Sequence, residues 1–85
     1  MPVVKFFASL RRLTGAKEKV VPGGDLRAVL ETLTADIPTL RPYFDGDRIR
    51  AIITLNGHTL DPNTALQTSV SEQDQIAIFP PIAGG

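Results

Sequence analysis

No cysteine occurs in the 85 residues, and that absence excludes a disulfide scaffold, a thiolate zinc site, an iron–sulfur centre and a cysteine nucleophile. Any sulfur chemistry involving the chain must take place on an atom other than a thiol. Net charge is absent too. Nine Lys and Arg stand against nine Asp and Glu, so the chain lacks the strong cationic field that draws nucleic acids or anionic membranes to a protein. No run approaches the roughly 18 consecutive apolar residues of a membrane span. The opening Met1-Pro2-Val3-Val4-Lys5 lacks the charged leader and apolar core of a signal peptide. These absences lead us to expect a soluble, cytoplasmic protein with no nucleic-acid or membrane partner.

What is present fits one packed domain. A mass of 9.2 kDa leaves room for a single core, and 42% apolar with 21% charged residues is ordinary for a globular chain. The charges balance in sum but not along the chain. Residues 1 to 27 hold Lys5, Arg11, Arg12, Lys17, Lys19 and Arg27 against Glu18 and Asp25, a net of +4. Residues 28 to 50 have a net of −1, and from residue 51 onward Asp61, Glu72 and Asp74 give −3 with no Lys or Arg. Such asymmetry can orient a partner, unless sheet pairing interleaves the blocks and cancels the field.

Val3, Val4, Phe6 and Phe7 predict a first strand over residues 2 to 8. Ser9 is placed to cap a short helical turn through Leu13, which Gly15 ends. Lys17 to Val21 reads as a second strand, forming with the first a hairpin with a long connection. Pro22-Gly23-Gly24 cannot continue regular structure. Leu26, Val29, Leu30, Leu33 and Ile37 then make the stripe of an amphipathic helix, with Asp25 as its cap and Pro38 at its end. Residues 39 to 48 read as an irregular connection anchored by Tyr43 and Phe44. Ala51 to Leu55 is a strand. Asn56-Gly57 supplies the two positive φ angles of a type I′ turn, and His58 to Leu60 returns antiparallel. Gln75 to Phe79 is the last strand, ended by Pro80-Pro81.

A hairpin, a helix, a crossover, a short hairpin and a final strand describe an α+β domain with a mixed sheet on one main helix, the β-grasp or ubiquitin-like outline. The boundaries expected are a β-grasp domain over 1–81 and an extended, flexible tail over 82–85. Pro80-Pro81 fixes φ and removes two donors, so the chain leaves the sheet as a stiff segment. It then ends in Gly84-Gly85, the least bulky residues, whose α-carboxylate a narrow channel in another protein could reach. A terminal carboxylate offers one chemistry: attack on the α-phosphorus of ATP gives an acyl-adenylate, and a sulfur or amine nucleophile then displaces AMP.

Val4-Lys5-Phe6-Phe7-Ala8 with Leu10 to Gly15, the mid-chain helix, Leu55-Asn56-Gly57 and above all Ala77-Ile78-Phe79-Pro80-Pro81-Ile82-Ala83-Gly84-Gly85 carry a resemblance over essentially the whole chain. The sequence resembles the MoaD/ThiS family of ubiquitin-like sulfur carriers, most of all its MoaD branch, the small subunits of molybdopterin synthase. The resemblance implies a non-catalytic protein cosubstrate. Gly85 would be adenylated by an E1-like, MoeB-like enzyme that uses ATP and magnesium. It would be converted to a thiocarboxylate with sulfur from a sulfurtransferase or desulfurase. The MoaE-like large subunit would receive it in a heterotetramer, where the sulfur passes to cyclic pyranopterin monophosphate. Gly84 would thread the channel. Phe79, Pro80, Pro81, Ile82, Ala83 and, as a basic position in the first helix, Arg11 would contact partners. No bound cofactor or metal is implied.

The chain departs from the family in one turn, where Glu72-Gln73-Asp74 replaces the usual Asp-Gly-Asp, so a local difference is expected there. Pro22-Gly23-Gly24 and the Ile-Ala-Gly-Gly ending also resemble carriers that feed cysteine synthesis, and carriers for thiazole formation or tRNA thiolation share the chemistry. Two readings from other classes stand beside it: a ubiquitin-like modifier joined to target lysines through Gly85, and an interaction module with an inert tail. His58 reads as an exposed turn residue without a triad. Asp45-Gly46-Asp47 reads as a solvated turn short of the oxygens of a calcium loop. Phe6, Phe7, Phe44 and Leu60 read mostly as core or anchor residues, and an exposed part of that set would be the patch a partner covers. Arg11-Arg12 with Lys17 and Lys19 reads as either a solvated face or a patch for a phosphate or an acidic partner.

Overall fold

A computed structural model describes residues 1–81. The chain runs β1 (Val3–Phe6), α1 (Ser9–Thr14), β2 (Glu18–Val20), β3 (Gly24–Asp25) and α2 (Leu26–Asp36), then a 3₁₀ turn at Pro38–Leu40. It continues with β4 (Phe44–Asp45), β5 (Arg48–Ile49), β6 (Ile52–Leu55), β7 (His58–Thr59), a second 3₁₀ turn at Ala65–Gln67, β8 (Ser69–Val70) and β9 (Gln75–Phe79). The main sheet has the order β2-β1-β9-β6-β7. Its central strand β9 runs parallel to β1, with Phe6 level with Ile78, and antiparallel to β6, with Ile52 level with Phe79. The first two strands pair antiparallel, Val3 with Val20, as the sequence predicts.

Strand alternation decides which side of the sheet is dry, because successive side chains point to opposite faces. Val4, Phe6, Ile53, Ile76 and Ile78 are buried and meet Leu26, Val29, Leu30 and Leu33 of α2, the predicted stripe. Each fully buried side chain of this size is worth about 1.5–3 kcal/mol of transfer free energy, which holds sheet and helix together. Asp25 caps α2 as expected, its carboxylate accepting from Ala28 N at 2.8 Å. The helix ends at Ile37, before Pro38. Asn56 and Gly57 adopt φ of 50° and 86°, the pair of positive angles the hairpin requires.

Three local expectations are corrected. Ser9 does not cap α1: it is the first helical residue, and Ala8 before it takes φ 54° with no side-chain cap. Backbone bonds replace the missing cap, Leu10 N donating to Phe7 O and Arg11 N to Ala8 O, both at 3.1 Å. The Pro22-Gly23-Gly24 segment is not free of regular structure, since Gly24–Asp25 pairs antiparallel with Ser69–Val70. A Cβ at Gly23 would lie 3.0 Å from Val70 O, so glycine permits this approach. Likewise the connection after α2 contains a small hairpin, β4 with β5, in which Phe44 is level with Ile49. The Glu72-Gln73-Asp74 turn needs no positive φ at all; the Asp74 carboxylate closes it by accepting from Ser71 N at 2.7 Å.

Candidate functional site

Because Ile76 and Ile78 point into the core, Gln75, Ala77 and Phe79 belong to the opposite face of β9. There the Phe79 ring stacks on Phe7, with centroids 4.7 Å apart and planes 13° from parallel. Such a pair adds about 0.5–1.5 kcal/mol beyond area burial. The Arg11 guanidinium lies 5.3 Å from the Phe7 ring centroid, a cation–π contact worth about 0.5–1 kcal/mol at an exposed site. Its Nε also donates to Phe6 O at 3.0 Å. The bend at Ala8 makes this layer possible, because it folds α1 back over the end of β1 within four residues.

The structure therefore brings Phe79 and Arg11, both predicted from the sequence, to one place through Phe7, which the sequence groups with the core and anchor residues. Phe7 is half-buried on the open face rather than in the core. Strand alternation supplies the missed signal: with Val4 and Phe6 inward, Phe7 must point outward. Phe6 and Phe44 are buried as expected, and Leu60 packs half-buried against the core. Past Phe79 the strand gives way to Pro80, half-buried, and Pro81, exposed. Neither proline can donate to a ladder, so pairing stops at Phe79. Ile82, Ala83, Gly84 and Gly85 lie outside the described residues.

The remaining candidates stay apart from this layer. His58 is exposed at the start of β7. Asp45, Gly46 and Asp47 form the turn between β4 and β5, where Asp47 Oδ1 meets Arg27 Nη2 at 2.6 Å, and the hydrogen bond and charge of Asp47 raise the Arg27 pKa. No group of three His, Cys, Asp or Glu able to hold a metal ion occurs among the described residues. No described helix is long and apolar enough to cross a membrane.

Comparison with known proteins agrees with this arrangement. The sequence model of the ThiS family matches residues 4–85. The molybdopterin synthase sulfur carrier subunit of Chlamydomonas reinhardtii is 30% identical over 82 residues, covering 96% of this chain and 95% of that protein. The solution structure of small archaeal modifier protein 1 from Methanosarcina acetivorans superposes with a TM-score of 0.84 at 33% identity, over 99% of this chain and 95% of the other. The complex of subunits 1 and 2 of the molybdopterin-converting factor from Helicobacter pylori contains a chain of the same fold, with a TM-score of 0.66 at 24% identity and coverage of 99% and 97%. The β-grasp sheet, the helix on one face of it and a family match running the length of the chain lead to one conclusion: this chain belongs to the ThiS family, as a sulfur carrier of the MoaD/ThiS type.

Proposed function

We propose that the chain is the sulfur-donating small subunit of a molybdopterin synthase, a protein cosubstrate whose reactive atom is the Gly85 carboxyl carbon. The observation that carries this reading is the course of β9. The central strand of the sheet ends in Phe79-Pro80-Pro81, so the tail departs from a point fixed by the core on one side and by the Phe7 stack on the other. The curated relative from Chlamydomonas supports the pathway. In the proposed sequence, a Gly85 carboxylate oxygen attacks the α-phosphorus of ATP in an E1-like adenylyltransferase, with magnesium on the nucleotide, and pyrophosphate leaves. Sulfide, released from the persulfide of a sulfurtransferase or desulfurase by a thiol that is itself oxidised to a disulfide, then attacks the acyl carbon and AMP leaves. The resulting thiocarboxylate enters the MoaE-like large subunit, within a heterotetramer, and gives its sulfur to the pterin precursor. The 82–85 segment acts as the inserted tail and 1–81 as its rigid handle.

Intact-mass measurement tests this directly. Incubation with ATP, an E1-like adenylyltransferase and a sulfur donor is expected to add the mass of sulfur replacing oxygen at Gly85. Addition of the large subunit with cyclic pyranopterin monophosphate is expected to reverse it as molybdopterin forms. A gain that persists under those conditions but discharges onto another acceptor would move the chain to another sulfur pathway, and no gain would overturn the carrier role. A second reading has its own support, since the Methanosarcina relative is named a modifier protein. In that case the adenylate is captured by a lysine amine, and the same experiment with cell protein yields an isopeptide-linked Gly85.

A further inference from the structure

Two asparagines occur in the chain, Asn56 and Asn63, and their successors differ. Asn56 precedes Gly57, which has no Cβ to shield its backbone nitrogen, and both residues are exposed. Asn63 precedes Thr64, whose branched Cβ crowds the same approach. An asparagine amide beside an accessible backbone nitrogen can lose ammonia. Gly57 N attacks Asn56 Cγ, the new N–C bond closes a five-membered imide, the Cγ–Nδ2 bond breaks, and Nδ2 leaves as ammonia with the proton from Gly57 N. Water then opens the imide at either carbonyl, giving aspartate or its β-linked isomer. Gly57 N donates to no acceptor among the described residues, so any restraint must act on the Asn56 amide.

The fold builds that amide into the sheet. Leu55 is level with Ile76, so the next rung of the β6–β9 ladder joins Asn56 to Gln75. Asn56 N donates to Gln75 O at 2.8 Å, one of the two bonds of such a rung. At φ 50° the Asn56 backbone has already turned into the hairpin. The return bond from Gln75 N goes to the side-chain Oδ1 instead, at 2.9 Å. Nδ2 in turn donates to Asp74 Oδ1 at 2.9 Å, and Asp74 Oδ2 accepts from Ser71 N at 2.7 Å. Both ends of the amide are thus tied to the segment that opens β9. Swinging Cγ onto Gly57 N breaks both bonds, one of them to a charged acceptor.

We propose that Asn56 is a deamidation site held in check by its clasp with Asp74 and Gln75, and that chains opening there convert irreversibly to a form in which the clasp cannot close. Aspartate at position 56 sets a carboxylate against Asp74 where an N–H donor stood, and like charges so close disfavour one another. The β-linked isomer adds a methylene to the backbone of a tight turn that must bring Leu55 level with His58. Either product loosens the start of β9, the central strand whose other end launches the tail. Conversion therefore records local opening of the fold, and it requires no chemistry at Gly85.

The test follows the full chain at neutral pH by mass spectrometry of the peptide that contains Asn56, scoring water in place of ammonia. The parent is compared native and in guanidinium chloride, beside two variants checked for folding by circular dichroism, Asp74→Ala and the core truncation Val4→Ala. Because one neutral and one charge-assisted hydrogen bond must break first, native Asn56 is expected to convert about thirtyfold or more slowly than in the denatured chain. Asp74→Ala is expected to regain about tenfold of that. Val4→Ala, which lowers the melting temperature with the clasp in place, is expected to stay within about twofold of the parent. Asn63 is expected to stay unconverted throughout. Asn56→Asp, the product in its aspartate form, is expected to exchange the Gln75 amide hydrogen about tenfold faster than the parent. A native chain that converts as fast as the denatured one overturns the proposal without any variant, even where Asp74→Ala fails to fold. A folded Asp74→Ala at the parent's rate, equal acceleration by Val4→Ala, or unchanged exchange in Asn56→Asp overturns it as well.

Discussion

Asp74 is the residue on which two turns converge. Its carboxylate accepts from Ser71 N at 2.7 Å and from Asn56 Nδ2 at 2.9 Å, while Asn56 Oδ1 accepts from Gln75 N at 2.9 Å. The clasp joins the β6–β7 hairpin to the start of β9. The Ser71 amide first, then the Asn56 amide, stabilise the ionised carboxylate and lower the Asp74 pKa. A lowered native pKa means that the unfolded chain binds this proton more readily. The stabilisation is therefore complete above the ordinary carboxylate range near about 3.9 and is lost as pH falls through the native value. Asp74→Asn is accordingly expected to melt below the parent at pH 7, with the gap narrowing toward pH 3, when thermal unfolding is followed by circular dichroism. A gap independent of pH would assign the stability to shape rather than to the charge.

Periodicity separates what could be read in the sequence from what could not, and the elements show it. The stripe of α2 and the alternation of β9 are long enough to carry their own periods, and both formed where expected. The two-residue ladders β3–β8 and β4–β5 have no period to detect; the first depends on Gly23 passing close to Val70 O, a contact between residues far apart in sequence. At the site, Phe79 was legible from its motif, whereas its stacking partner Phe7 required the inward positions of β1 to be known, and the Arg11 contact required the bend at Ala8. The same alternation yields a prediction for β9. Phe79→Asp, on the open face, is expected to leave the circular dichroism spectrum intact and to weaken binding to the large synthase subunit roughly tenfold or more, as expected for an aromatic anchor. Ile78→Asp, one position away, buries an unpaired charge in the core and is expected to unfold the chain. A folded Phe79→Asp that binds like the parent would remove Phe79 from the interface.

Across the whole molecule the division of labour follows from where stability resides. The core centres on β1, β6, β9 and α2, with Leu10 of α1 and Leu40, Phe44 and Val70 around it, and among the described residues its last member in sequence is Ile78. Fold and activation at the proposed Gly85 carboxylate are therefore expected to respond to different substitutions. A residue appended after Gly85 displaces the proposed reactive carboxylate by one Cα step, about 3.8 Å, more than in-line attack on an α-phosphorus tolerates, since reacting atoms must approach within about 3.5 Å. Gly84→Val adds a branched Cβ where the proposed channel admits only backbone. Both variants are expected to keep the parent's melting temperature and to lose ATP–pyrophosphate exchange by roughly a hundredfold, the scale of a 1 Å misplacement of reacting groups. Loss of exchange with a lowered melting temperature would instead tie the tail to the fold. Full exchange by both would show that the activating site is wide, and glycine at positions 84 and 85 would then need a reason other than passage through a narrow channel.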